Sequence, residues 1–453
     1  MKWRLAVLLL PAIIVVAGIY GWHEYQAFNA VPTTRLAAGG YYPEMPPDGY
    51  HHYVQIPIDH QNPSAGNFTD FYLLNPEFRA GDNVVFWLCD NQQEAVGLAS
   101  SWSGFDANLG GLSYVLIGNR GVSPTLFPEV FNKDGSVNYA LAVKLYGSNE
   151  QIDDIEAVRQ DMKKKGLLPE DGKIMVYGRS GGGVLVQQYL DKYGDYVSRA
   201  LIEASGGPDL AREHNTTFNK NTFESNPSAA SFFFALSQKG DATASLAFML
   251  FMIGQEGDMD LQEKIVNSKR SILALGDKFT YLKNWLVPSY NFLFVNLLFD
   301  APRELEVKVR LYELAVEDID NYHPASAQEV CLAYDWMRVL LADFMKAHDE
   351  GKLHSMQFAL NRSRYRGEVM VWSGTADQDF STQMGQWISD SYPHSRLAVF
   401  DDAHHLCKHQ EYYREFRRAF FTAGLNSSEV QDHFNDARQL NVVQKDLTID
   451  KYY

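Results

Sequence analysis

The chain has 453 residues, 46% of them hydrophobic, enough for one large domain with an insertion or for two domains sharing a core. Its formal net charge of −16 at pH 7 comes with no cluster of lysines or arginines, which argues against a nucleic-acid partner, since phosphate binding needs a basic face. The three cysteines, Cys89, Cys331 and Cys407, exclude a disulfide-built scaffold. One bridge, Cys331 to Cys407, is one reading; buried thiols acting as small apolar side chains is the other.

In chain order, Met1-Lys2-Trp3-Arg4 is basic and Leu5 to Trp22 is an almost unbroken apolar run. Residues 1–30 therefore read as a cleaved secretory signal or as a retained single membrane anchor, and both imply export, whether secreted, periplasmic or anchored outside the cytoplasm. Val31 to Asp48 is a Pro- and Gly-rich linker. Tyr53–Ile58 and Asp70–Leu74 read as paired edge strands, and Val84–Leu88 and Tyr114–Ile117 as the next two. Ser148 is placed as the cap of an amphipathic helix over 150–165.

Lys173 to Tyr177 is a short apolar run with the character of a buried parallel strand, and a helical pattern starts at Gly183. Between them lies Gly178-Arg179-Ser180-Gly181-Gly182, a serine at a sharp turn with small neighbours on both sides. A further strand, Val369–Trp372, leads into Ser373-Gly374-Thr375-Ala376-Asp377. A helix over 381–391 and the strand Arg396–Phe400 then end in Asp401-Asp402-Ala403-His404-His405. Serine, acid and histidine in this order, each after a strand, match the nucleophile elbow and triad of an α/β-hydrolase. The predicted triad is Ser180, Asp377 and His405, with Asp379 the fallback acid, His404 a loop or supporting residue and His409 on a helix face.

The expected fold class is α/β: a mostly parallel sheet with helices on both faces and an inserted helical cap. The core occupies 50–207 and 365–424. Residues 208–364, where the strand rhythm stops, form the cap, with helical runs at 245–253, 292–299 and 327–347, and residues 425–453 are a polar tail without clear period. The cap is rich in aromatics, most of them core and a few lining a pocket. Asn67, Asn215, Asn361 and Asn426 fit the N-glycosylation pattern.

The chemistry of such a site is acyl transfer through Ser180, with the Gly181 N–H as one oxyanion donor and Asn91 or Gln92, after the strand ending at Leu88, as the other. That loop reads Cys89-Asp90-Asn91-Gln92-Gln93-Glu94 and is not the Gly-rich form many relatives carry. Residues 54–63 (Val-Gln-Ile-Pro-Ile-Asp-His-Gln-Asn-Pro), Gly118-Asn119-Arg120-Gly121 and Ser148-Asn149-Glu150-Gln151-Ile152-Asp153-Asp154 resemble segments of secreted serine exopeptidases. The resemblance is to the proline iminopeptidase and tripeptidyl aminopeptidase group and, less closely, to the prolyl carboxypeptidase group, with Gly118 standing where the former has an acid. It implies an exopeptidase acting on short peptides, with a small ester as the alternative substrate. An aminopeptidase would hold the substrate amine with Glu203 or Glu94, a carboxypeptidase the carboxylate with Arg179. The same triad would serve a carboxylesterase or lipase, and the altered oxyanion loop admits a catalytically weak binding protein. No metal-ligand spacing and no phosphate-cradling loop is found, so neither metal nor cofactor is expected.

Overall fold

The computed structural model describes residues 22, 48–89, 102–121, 127–220, 226–240, 242–269, 275–287, 290, 305–439 and 443–450. The basic-apolar N-terminal run (Trp22 apart), residues 90–101 with Asn91, Gln92 and Glu94, and the helical run at 292–299 lie outside them. No described helix is long and apolar enough to cross a membrane.

Nine strands form one sheet: β1 (His51–Pro57), β2 (Asn67–Leu74), β3 (Val84–Trp87), β4 (Ser113–Ile117), β5 (Ile174–Arg179), β6 (Val197–Glu203), β7 (Glu368–Gly374), β8 (His394–Phe400) and β9 (Val443–Asp450). Their spatial order is β1-β2-β4-β3-β5-β6-β7-β8-β9. β1, β2 and β4 pair antiparallel in sequence, β4-β3-β5-β6-β7-β8 pair parallel, and β9 closes the far edge antiparallel to β8. This is the α/β-hydrolase fold. The central strands read as near-continuous apolar runs because helices cover both faces. Ala200, Ile202, Val176 and Val371 face one layer with Leu185 and Tyr189, whereas Leu201, Tyr177, Met370 and Trp372 face the other with Tyr413, Phe416 and Phe420.

The helices that matter for the site are α1 (Ser103–Leu109), α2 (Tyr139–Tyr146), α3 (Ser148–Lys164) and α4 (Gly181–Tyr193). Between β6 and β7 lie α5 (Pro208–Glu213), α6 (Pro227–Gln238), α7 (Ala244–Glu256), α8 (Met259–Asn267), α9 (Leu275–Trp285), α10 (Leu305–Asn321), α11 (Leu332–Leu340) and α12 (Ala342–Asp349), with no strand among the described residues. Next come α13 (Thr382–Ser391), α14 (Gln410–Ala423) and α15 (Ser428–Gln439).

Three local expectations need correction. Gly147, not Ser148, is the cap residue of α3; the Ser148 N–H is instead taken by the Glu313 carboxylate at 3.1 and 3.2 Å. The 327–347 run breaks at Leu341 (φ −95°, ψ 13°) into α11 and α12. The tail carries regular structure at 428–439 and 443–450: Leu425, Val430 and Phe434 are buried in the layer that holds α14, and β9 extends the sheet. Two apolar residues four apart fix one helix face but are too sparse a signal to raise the periodicity of a polar segment.

Candidate active site

Strand register brings the three site loops together. Arg179 at the end of β5 pairs with Glu203 of β6, Glu203 with Trp372 of β7, and Gly374 with Phe400 of β8. Ser180, Asp377 and the histidines follow these strand ends and so lie along one edge of the parallel sheet.

Ser180 has φ 54° and ψ −131°, a conformation that non-glycine residues rarely adopt, and α4 starts at the next residue. The turn is held in place by its neighbours: the Ser180 N–H donates to the Glu203 and Ala204 carbonyls at 3.0 and 3.1 Å, and the Ser205 hydroxyl donates to the Ser180 carbonyl at 2.7 Å. Gly183 is required by close approach, since a Cβ there would stand 2.5 Å from the Ser205 side chain. Gly181 is the first residue of α4, where backbone N–H groups have no partner within the helix, so its N–H is available to an oxyanion.

The acid is Asp377. One carboxylate oxygen, Oδ1, accepts from the N–H groups of Asp379 (2.7 Å) and Phe380 (3.1 Å), and Oδ2 faces a histidine Nδ1 at 3.1 Å. That histidine is His404, not His405. The expectation of His405 fails because the loop turns at Ala403, where the 374 glycine lets the two loops touch: a Cβ at 374 would collide with the Asp402 carbonyl. The turn sends the first histidine to the acid and leaves the second beside it, with the His405 N–H on the Gln255 carbonyl at 3.3 Å.

The electrostatics separate the two rings. Burial works against a charge on His404, yet the facing Asp377 carboxylate outweighs it and holds the imidazole pKa above its usual value. Burial pushes His405 down to about 3, helped by the charges of His404 and Arg179, so it stays neutral. Asp377 is also buried, but the bond to His404 and the two N–H groups keep its pKa below the usual carboxylate value. Asp379, the fallback acid, does not face a histidine nitrogen in any hydrogen bond described. Its carboxylate is held by the Asn219 and Gln255 side-chain amides.

Glu203 is not a substrate ligand. It is fully buried on the opposite face of the sheet, where its Oε2 takes Arg417 Nε and Nη2 at 2.9 and 2.7 Å and the Tyr177 hydroxyl at 3.1 Å. The side chains of alternate strand residues face opposite layers, and this one points away from Ser180. Arg179 does stay at the site: half-buried, it stands over the Trp87 ring at 5.9 Å, and its charge disfavours protonation of both histidines. Cys331 is a buried free thiol and Cys407 an exposed one, so they are not bridged. His409 is exposed and caps α14 at its N-terminus. No cluster of metal-ligating side chains occurs among the described residues.

Several residues near the site carry no motif signal. Phe380 packs edge-on against Phe218 (5.1 Å) and lies 5.8 Å from the His404 ring. Phe218 in turn lines a cavity of about 480 Å³ between α5, α10 and the 355–358 segment. Met356 and Phe358 supply further apolar wall, and Arg212, Glu313, Glu317 and Asp318 the charged wall. Gln151 of α3 donates to the Cys89 carbonyl (3.0 Å) and to Asn119 (2.9 Å), fixing the start of the loop that follows β3.

The three segments that carry the exopeptidase resemblance meet in one buried cluster. Arg120 Nε and Nη2 each stand 2.5 Å from the Asp154 carboxylate, and Arg120 also donates to the Ile58 and Leu145 carbonyls. His60 Nε2 lies 2.7 Å from the same carboxylate, and the His60 N–H donates to Glu150 at 2.8 Å. At Gly118 a Cβ would fall 2.7 Å from the Phe71 ring and 2.8 Å from Asp70 Oδ1, so two side chains of the neighbouring β2 occupy the room that an acid at 118 would need.

No protein-family model matches the chain, and no curated protein matches it. Among solved structures it is similar to Rv0554 of Mycobacterium tuberculosis, with 14% identity, 83% of this chain and 100% of that one covered, and a TM-score of 0.40. It is similar to a probable hydrolytic enzyme of Pseudomonas aeruginosa PAO1 (13% identity, 86% and 96% covered, TM-score 0.40). An esterase of Exiguobacterium antarcticum matches at 14% identity, 78% and 96% coverage and TM-score 0.38.

Proposed function

We propose that the chain is a serine hydrolase that works through an acyl-enzyme on Ser180. The observation that carries this is the pairing of His404 with a buried, N–H-stabilised Asp377 on loops that follow the same sheet edge as the strained serine elbow. His404 accepts the Ser180 proton as the hydroxyl oxygen attacks the substrate carbonyl, and Asp377 fixes the tautomer that leaves Nε2 free to do so. The Gly181 N–H stabilises the oxyanion, and His404 returns the proton to the leaving group. Water then repeats the sequence to release the acid.

Within that chemistry we favour an exopeptidase that reads a free amino terminus. Three carboxylates, Glu313, Glu317 and Asp318, against one cation, Arg212, line the cavity beside Phe218, and that excess of acids supports an amine over a carboxylate as its occupant. Arg179 supports the second reading, a carboxypeptidase, because it places a cation beside the histidines. Export rests on the sequence of residues 1–22 and accords with the exposure of Asn67, Asn215, Asn361 and Asn426.

Intact-mass analysis after a fluorophosphonate tests the chemistry: one adduct on the wild type and none on Ser180→Ala is expected. Absence of the wild-type adduct refutes the serine-hydrolase reading. Short peptides with free or blocked amino termini then test the specificity, and cleavage that survives amino-terminal blocking but is lost on blocking the carboxyl end selects the carboxypeptidase.

A further inference from the structure

Asp379 is a buried carboxylate two residues from the catalytic acid, and the acyl-transfer steps do not use it. Asp379 and its neighbour Phe380 meet the segment between β6 and β7 at three consecutive positions: Phe218 packs on Phe380, the Asn219 amide donates to Asp379 Oδ1, and the Lys220 N–H donates to the Asp379 carbonyl at 2.9 Å. A second tie comes from the end of α7. Gln255 donates from Nε2 to Asp379 Oδ2 at 3.3 Å, and its carbonyl accepts the His405 N–H. The acid loop is thus held by both stretches of the inserted segment, and the histidine loop by the second of them, through Gln255. The Asp379 N–H, in turn, is one of the two that stabilise Asp377.

We propose that Asp379 is a positioning residue for the His404–Asp377 pair, locking the acid loop to Asn219, Lys220 and Gln255 and adding a second negative charge near the histidine. This rests on the serine-hydrolase reading for its purpose, not for its geometry. The charged groups that face Asp379 are His404 and Asp377, and the Cys331 thiol lies close to it as well. Burial lifts the Asp379 carboxyl to about 6, with His404 opposing the rise and Asp377 adding to it. A negative charge there favours the imidazolium form of His404. Its removal must therefore lower the His404 pKa, an effect that a tether without charge cannot have.

The test compares the full-length wild type with Asp379→Asn and Gln255→Met. In selectively labelled protein, the His404 pKa followed by NMR should fall by on the order of half a unit or more in Asp379→Asn. In Gln255→Met, which keeps the charge but removes a donor, it should stay within a few tenths. The phosphonylation rate of Ser180 in its pH-independent range should drop several-fold in both variants, through loss of alignment. An unchanged His404 pKa in Asp379→Asn overturns the electrostatic half, and unchanged rates in both variants overturn the tether. Should Asp379→Asn fail to fold, Gln255→Met still decides the tether, and Asp379→Glu decides the charge by keeping His404 near its wild-type pKa. A wild type that forms no adduct refutes the serine-hydrolase reading alone, because the titration of His404 still reports on Asp379.

Discussion

Replacing Arg417 with methionine tests whether Glu203 is structural. Arg417 makes two bonds to Glu203 Oε2, and its guanidinium stands over the Trp372 ring at 4.9 Å, all of it buried between the sheet and α14. Without it the carboxylate keeps only the Tyr177 hydroxyl, and its other oxygen, Oε1, already has no hydrogen-bond partner. Breaking a buried pair by removing one partner costs about 3–5 kcal/mol, because an uncompensated charge stays behind. At roughly 2 °C per kcal/mol for a chain of this size, that is a Tm loss on the order of 5–10 °C. Glu203→Gln alone strands Arg417 and should cost a similar amount. The double variant should recover most of the loss, since no charge is left unpaired and the glutamine can still accept from Tyr177. Thermal and urea unfolding of the three variants gives the coupling, and peptide kinetics gives the control. A loss under about 1 kcal/mol in Arg417→Met, together with a raised KM for peptides with free amino termini in Glu203→Gln, would refute the reasoning and return Glu203 to the substrate.

His404→Ala should slow Ser180 phosphonylation by about 10²–10⁴-fold, the usual share of a general base, whereas His405→Ala should keep most of the rate. The wild-type rate should rise with pH through a value above that of an ordinary imidazole, since His404 must be neutral to accept a proton and Asp377 holds its pKa up. A midpoint below that of a free histidine would contradict the pairing. Phe434→Ala, in a helix that carries no motif, should cost about 3–5 kcal/mol by opening a cavity against Phe416 and Arg396, and urea unfolding measures it.

Most of the sheet was legible because its strands are short apolar runs bounded by turns, and the elbow was legible because a strained serine demands small neighbours that leave a visible pattern. The choice between His404 and His405 was not. Two adjacent residues differ only in which way a loop turns, and that turn depends on a contact between residues 374 and 402 that no local pattern records. Glu203 was misread for a related reason. Strand alternation gives the parity of a side chain but not which layer holds its partner, and Arg417 lies 214 positions away in sequence. Asn219, in the irregular stretch after α5, and Gln255, near the end of α7, were invisible because their amides look like any surface amide until the acid loop is folded against them.

The same distinction bears on what the exopeptidase resemblance is worth. His60, Arg120, Glu150 and Asp154, from its three segments, meet one another and not Ser180. A fully buried guanidinium needs two carboxylates and several carbonyls at fixed positions, so the residue types and spacings of all three segments are set by one another. That cluster clamps β1 and the end of β4 to α3, and α3 carries Gln151, which holds the start of the loop after β3. The motifs therefore constrain how β1, β4 and the end of β3 at Cys89 are braced against α3. They do not reach the cavity that Phe218 lines, so the proposed reading of a free amino terminus rests on the charges of that cavity and not on the motifs.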